Sequence, residues 1–390
     1  MPDLDEQLTA GRQRVLDAIE QPPFEPIARR AGALRRRRAL ARVGTAAATA
    51  VLVGTAAVTA LVNREPAPPP MADASASPGA IYSVDGITIN GLPALPAELP
   101  GNVVDVEFVD AERGYLLTAA CDGGCKYTFA STTDGGRAWK VAPLPGGLGS
   151  APPLLVPLGD HAVVVPTPTG ADQAEPATEL PGFARLQLVP PGACGGTVDA
   201  WVPRGDGAAL VAPVRQPDLT VCWTSPVRAG DGAWWVGGVQ NGAAAVAVSR
   251  DGGRTWTTTR LGDTGAGARV AMLGQDVYAT VLGPSDELLA VYHSGDGGRT
   301  FNGITHRGMP AKIGGELVPL YDGRLLLVNG DGMGGWFLSR DKGATWTAAA
   351  GLHPTERIAR TSGGYVAYKM TTIYTAFSVD GSTWRKVNAR

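Results

Sequence analysis

Histidine is scarce in this chain, with four in 390 residues. No set of ring nitrogens stands at metal-ligand spacing, so no histidine-based metal centre is expected. Charge of one sign is lacking too. The net charge of -2 excludes the overall basic surface that nucleic-acid binders use. Lysine is rare, and long apolar runs are missing except for one. Glycine and proline are abundant instead, at 53 and 31. Set between short apolar runs, they point to many strands joined by many turns.

The one long apolar run is VGTAAATAVLVGTAAVTALV, residues 43–62. At about 1.5 Å rise per residue it reaches roughly 30 Å, the thickness of a hydrocarbon core. Nine arginines precede it within residues 1–42, four of them in the row Arg35, Arg36, Arg37, Arg38. That bias keeps the N-terminal side in the cytoplasm and puts the rest outside. A cleaved signal peptide does not fit so long a leader. Ala46, Ala50 and Gly54 have the small-xxx-small spacing that permits helix pairing.

The expected organisation is a basic cytoplasmic tail over 1–42, a transmembrane helix over 43–62, a Pro/Ala/Ser linker over 63–80 and an extracytoplasmic domain over 81–390. Within the tail, residues 3–20 read as a short amphipathic helix, with Leu4, Leu8, Val15 and Ile19 near one face. The tail either serves topology and anionic lipid or docks a cytoplasmic partner.

The cysteines agree with this topology. Cys121, Cys125, Cys194 and Cys222 all follow the apolar run. An even count outside the membrane favours disulfides. Cys121 and Cys125 could close a small loop, leaving Cys194 and Cys222 to pair over a longer one. Zinc is the alternative, but the spacing fits no standard site.

One phrase recurs. SRDGGRTW begins at Ser249, SGDGGRTF at Ser294 and SRDKGATW at Ser339, 45 residues apart each time. TTDGGRAW at Thr132 is a fourth copy, and SVDGSTW at Ser378 is a copy one residue short. Around each lie four short β runs, with the phrase between the third and the fourth. The gap from Thr132 to Ser249 holds one further unit without the phrase, built from PLLVPLGDHAVVVPT, FARLQLVPP and TVDAWVPR, with a loop inserted near 170–181. That makes six units, or seven if the stretch from Cys194 to Val214 forms its own. Four-stranded units at this period predict an all-β chain with a six-bladed or seven-bladed β-propeller.

The phrase resembles the Asp-box, or bacterial neuraminidase, repeat S-x-D-x-G-x-T-W. Ser249, Asp251, Gly253, Thr255 and Trp256 match it. So do Ser294, Asp296, Gly298, Thr300 and Phe301, and Ser339, Asp341, Gly343, Thr345 and Trp346. Asp134 and Trp139 carry it in the first copy, and Ser378, Asp380 and Trp384 in the last. From Val103 onward the chain is thus similar to the sialidase-like propeller superfamily. The anchored, arginine-flanked layout resembles that of actinobacterial envelope proteins. The phrase itself reads as a structural turn. Its Asp can accept backbone N–H bonds and its glycines tolerate positive φ. Its aromatic residue offers a large surface for burial. One Asp per loop gives too few ligands for calcium. In the resembling family these turns lie away from the central substrate site.

The resemblance to sialidases implies three arginines on a substrate carboxylate, a Tyr–Glu nucleophile and an Asp acid/base. The first arginine belongs to an Arg-Ile-Pro motif on the first blade. The stretch VVDVEFVDAERGYLLTAA lacks it. Arg113 reads as part of a hairpin turn, and RIAR at Arg357 lacks the proline. Tyr365, Tyr368 and Tyr374 read as blade packing. Asp105, Glu107, Asp110 and Glu112 read as exposed strand and turn acids. No catalytic residue, metal or cofactor is assigned on these patterns. The expected function is non-catalytic binding of a carbohydrate, cell-wall or protein ligand. Trp201, Trp223, Trp234, Trp235 and Trp336 are the candidate stacking surface. A divergent sialidase-like glycoside hydrolase and an envelope sensor with a cytoplasmic partner are the alternatives.

Overall fold

The structure, a computed structural model, describes residues 81–90 and 99–386, apart from short stretches at 100, 123, 143, 145–151, 169–173, 192–193, 206, 226–227, 332–334, 350–351, 353–354 and 370–371. The expected tail, span and linker lie outside these residues. Among the described residues no helix is long and apolar enough to cross a membrane.

A hairpin comes first, β1 (Ile81–Val84) and β2 (Ile87–Asn90). Blade 1 follows with β3 (Asn102–Phe108), β4 (Gly114–Cys121), β5 (Cys125–Thr132) and β6 (Lys140–Ala142). A separate hairpin is formed by β7 (Leu154–Leu158) and β8 (His161–Val165). Blade 2 contains β9 (Glu175–Pro176), β10 (Arg185–Val189), β11 (Thr197–Arg204) and β12 (Gly207–Ala212). Blade 3 is β13 (Thr220–Thr224), β14 (Trp234–Gln240), β15 (Ala243–Ser249) and β16 (Thr257–Arg260). Blade 4 is β17 (Gly267–Leu273), β18 (Asp276–Leu282), β19 (Leu288–Ser294) and β20 (Asn302–Gly303). Blade 5 is β21 (Val318–Pro319), β22 (Leu325–Val328), β23 (Trp336–Ser339) and β24 (Thr347–Ala348). Blade 6 is β25 (Arg357–Thr361), β26 (Gly364–Lys369), β27 (Thr372–Ser378) and β28 (Thr383–Lys386).

The result is a six-bladed β-propeller. Its middle strands are buried on both faces, so they read as apolar runs and not as alternation. In β15 every residue is buried. Between blades 3 and 4 the sheets come so close that a Cβ on Gly237 would sit 1.9 Å from the carbonyl oxygen of Ala268.

One unit expected from the sequence is divided. β7 and β8 pair only with each other and fill a wedge between blades 1 and 2. Leu155 and Val164 pack on Leu117 on one side, and Val156 and Val165 pack on Trp201 on the other. Blade 2 completes itself with β9, which comes from the inserted loop and pairs parallel to β12. A two-residue strand left no periodicity to read.

The ring closes without a shared sheet. Phe108 of β3 stacks on Phe377 of β27 with centroids 4.2 Å apart, and Arg385 Nη2 donates to the Ala111 carbonyl at 2.5 Å. The N-terminal hairpin adds to the outer edge of blade 6, where β2 runs parallel to β28. Asp85 and Gly86 turn it with positive φ at both positions. Ile87 and Ile89 are fully buried among Val318, Leu320, Trp336 and Trp384. Asp85 also binds Arg340 of blade 5 at 2.6 Å, so the hairpin straps two blades together.

The five phrase turns share one geometry. The hydroxyl of Thr132, Ser249, Ser294, Ser339 or Ser378 donates to the Asp two residues on, at 2.8, 3.0, 2.6, 2.9 and 3.1 Å. The same oxygen accepts the amide of Gly136, Gly253, Gly298, Gly343 or Gly381. In the three middle copies the Asp also takes the amide and hydroxyl of Thr255, Thr300 and Thr345. Burial opposes ionisation of Asp251, but the bonds from Thr255 and Ser249 outweigh it and hold its carboxyl down to about 2. At Gly298 the φ is 81°, and a Cβ there would meet the Trp235 ring at 2.2 Å. The aromatic position is not uniform. Trp139, Trp346 and Trp384 are buried, whereas Trp256 and Phe301 are half-buried.

Two disulfides are formed, Cys121–Cys125 across the β4–β5 hairpin and Cys194–Cys222 from the loop after β10 to β13. Among the described residues no group of three or more His, Cys, Asp or Glu could hold a metal ion.

Candidate functional site

Alternation decides which side chains reach the centre. On β3, Val106 and Phe108 enter the core between blades 6 and 1, which leaves Asp105 and Glu107 on the opposite face. At the start of β10, Ala184 and Leu186 flank Arg185 and are core. On β17, Ala268 and Val270 flank Arg269 and are core. Arg360 of β25 and Glu316, just before β21, complete the group. Glu316 feels the charges of Arg360, Arg269 and Arg185 together and hydrogen-bonds the Trp223 side chain. Residues from five sheets and from the segment leading into a sixth come together there, as on a propeller axis.

The cluster is densely surrounded by protein, yet Asp105 and Glu316 stay in partial contact with solvent. Burial raises the Asp105 and Glu316 carboxyls, against the pull of nearby arginines. Glu107 is 2% exposed, and burial pushes it up to about 8, opposed by Arg185. Arg185 Nη2 bonds Glu107 Oε1 directly. Arg269 is held at both ends of its fork, with Nη1 on the Gly315 carbonyl at 2.7 Å and Nη2 on Asp286 at 2.6 Å. Arg360 lies over the Tyr365 ring, 6.0 Å from its centroid.

Two guanidinium atoms are buried without a hydrogen-bond partner, Arg185 Nη1 and Arg360 Nη1. Both residues line a cavity of about 320 Å³ with Pro157, Phe183, Arg228 and Ser362. None of its lining residues is acidic, so its wall carries three guanidinium groups, of which Arg185 is already paired with Glu107. A buried donor left unpaired costs about 1–3 kcal/mol, which an incoming acceptor would recover. Planar guanidinium groups suit a carboxylate.

The candidate residues from sequence fare unevenly. Asp105 and Glu107 are central acids, not exposed ones, because ring closure turns that face of β3 inward. Asp110 and Arg113 do form a turn, with Arg113 Nε 2.7 Å from Asp110, and Glu112 is exposed beside them. Trp234, Trp235, Trp336 and Trp201 are 0, 1, 1 and 7% exposed, so they are core and offer no stacking surface. Of the five candidates only Trp223 reaches the centre. Tyr365 is buried in the core of blades 5 and 6, while the side chains of Tyr368 and Tyr374 lie outside the described set. Asp380 lines a second cavity. Arg185, Arg269, Arg360 and Glu316 were not singled out from sequence. A signal was present: an Ala-Arg pair recurs in or beside the first long strand of blades 2, 4 and 6, at Ala184, Ala268 and Ala359.

No known family model matches the chain, and no curated protein matches it. Among solved structures it is similar to YCF48 bound to D1 peptide, at 15% identity over 74% of this chain and 67% of that one, with a TM-score of 0.29. YCF48 from Cyanidioschyzon merolae shares 13% identity over 75% of this chain and 72% of that one, with a TM-score of 0.27. The Hadza microbial sialidase Hz136 shares 14% identity over 71% of this chain and 63% of that one, with a TM-score of 0.37. Likeness of this extent assigns no activity to this chain.

Proposed function

We propose that this chain is a membrane-anchored, extracytoplasmic binding propeller that captures a carboxylate-bearing carbohydrate or protein ligand in its central basin and does not transform it. The observation that carries this reading is the pair of unpartnered atoms, Arg185 Nη1 and Arg360 Nη1, in a cavity wall free of acids. Burial raises the Tyr365 hydroxyl pKa, the reverse of what a tyrosine nucleophile at that position needs.

Calorimetry on the full-length chain in detergent tests it with four probes: N-acetyl-trialanine, its C-terminal amide, glucuronate and glucose. At least one of the two acids should bind, and its neutral twin should not. Arg360→Gln should weaken that binding at least about tenfold, or 1.4 kcal/mol. Equal affinity for an acid and its neutral twin would sink the proposal.

A second reading is favoured by Glu107. A carboxyl held up to about 8 is protonated at neutral pH, as a general acid for glycoside cleavage requires. Asp105 and Glu316 stand near it as bases. On this reading, glycan mixtures incubated with the protein give new product masses. The rate falls as pH rises through about 8, where Glu107 loses its proton, and Glu107→Gln abolishes it. Unchanged glycan masses across that range would remove the hydrolase.

A further inference from the structure

Arg185 serves two sides at once. It lines the basin, where its Nη1 has no partner, and its Nη2 bonds Glu107 Oε1. Glu107 is 2% exposed and is not part of the basin wall. Its second oxygen, Oε2, is buried with no hydrogen-bond partner. The pair is therefore half-made on each side, with a spare donor on Arg185 and a spare oxygen on Glu107. A buried carboxylate oxygen without a donor is costly, and a proton on that carboxyl removes the charge.

The charges around this pair balance before any ligand arrives. Glu107 meets the charges of Arg185, Asp105 and Glu316, and Glu316 meets those of Arg360, Arg269 and Arg185. When all are ionised, the three acids match the three arginines. Arg228 on the basin wall and Asp286 on Arg269 add one charge of each sign and leave the balance unchanged. Burial raises the hydroxyl of Tyr115, the register partner of Glu107 on β4, so it adds no charge. A ligand carboxylate in the basin thus brings one negative charge too many to a cluster enclosed by protein, where charge is poorly screened. One proton on one acid restores the balance.

Hydrogen bonds decide which acid takes it. Asp105 accepts the amides of Val106, at 2.9 Å, and of Leu155. Glu316 bonds the Trp223 side chain and has three arginines about it. These bonds favour the anion. Glu107 has Arg185 alone, and only on one oxygen. Burial already pushes its carboxyl up to about 8, opposed by Arg185. A ligand carboxylate that draws on Arg185 weakens that opposition.

We infer that Glu107 is a proton site coupled to the basin, so that a carboxylate ligand binds only with a proton on Glu107. The inference rests on the carboxylate reading above and adds its pH dependence. Below the Glu107 midpoint the proton is already in place, and binding has its full strength. Above it, each binding event takes a proton from solvent, and affinity falls as pH rises.

Calorimetry on the full-length chain in detergent tests the coupling, with N-acetyl-trialanine and glucuronate as probes at about pH 7 and about pH 9. Carboxylates and arginine keep their charges throughout that range. The affinity of whichever acid binds should fall about tenfold between the two. At the higher pH, titration in two buffers of unlike ionisation heat should show close to one proton taken up for each acid bound. Glu107→Gln keeps the shape and removes the titration, so its affinity should not change with pH and its proton uptake should vanish. The buffer comparison needs no variant, so it decides the matter even where Glu107→Gln fails to fold. Binding that is equally strong at both pH values, or that takes up no proton at the higher one, would overturn the coupling and leave the carboxylate reading standing. Uptake that persists in Glu107→Gln would place the proton on another acid and overturn the assignment. Binding of neither acid at neutral pH would remove the carboxylate reading and the coupling with it.

Discussion

Trp384→Ala should destabilise the propeller by about 3–5 kcal/mol, the usual range for removing a buried tryptophan. Trp384 is fully buried. It meets Trp336 edge-on with centroids 5.3 Å apart, and its Nε1 donates to the Gly381 carbonyl at 2.7 Å. Its backbone is the register partner of Ile89 on the N-terminal hairpin. One side chain therefore joins blade 5, blade 6 and the hairpin. Trp256 holds the same place in its phrase but is only half-buried, with its indole N–H on the Arg215 carbonyl at 2.8 Å. Trp256→Ala should cost less. Urea unfolding of both variants decides the matter. A loss at Trp384 no larger than that at Trp256 would refute the link between burial and the weight of each phrase.

Ile89→Asp should cost at least about 3 kcal/mol, because it puts an unpaired carboxylate into a sealed apolar site. Ile87 and Ile89 share one face of β2 and are both fully buried, while Thr88 between them is half-buried. The charge would sit against Leu320, Trp336 and Trp384. The damage should spread beyond the hairpin, since Asp85 ties it to Arg340 and its carbonyl accepts from Arg324. Hydrogen exchange should quicken at β27 and β28 before it quickens in blade 3. A variant within about 1 kcal/mol of the parent in urea would show that the hairpin does not strap the ring.

The sequence by itself determined the phrase turns and the repeated four-strand unit. A turn such as Ser249 to Trp256 is closed by bonds spanning two to four residues, so its chemistry is written in adjacent letters. The apolar strands around it have a length and spacing that survive without knowledge of their neighbours. The paired cysteines were legible for a similar reason, since an even set on one side of the apolar run has few ways to combine.

Only the tertiary structure decided the centre and the seams. Arg185, Arg269, Arg360, Glu107 and Glu316 are spread over 254 residues, from 107 to 360 inclusive. They meet because sheet twist and ring closure turn one face of each first strand towards the axis. A single strand shows two faces to the reader and does not say which one points inward. The same ambiguity made Trp234, Trp235 and Trp336 look available for stacking, when the packing of neighbouring blades buries them. It also hid β1 and β2. A short Ile-Thr-Ile strand is ordinary in sequence, and it becomes a strap only when the edge of the last blade is there to receive it.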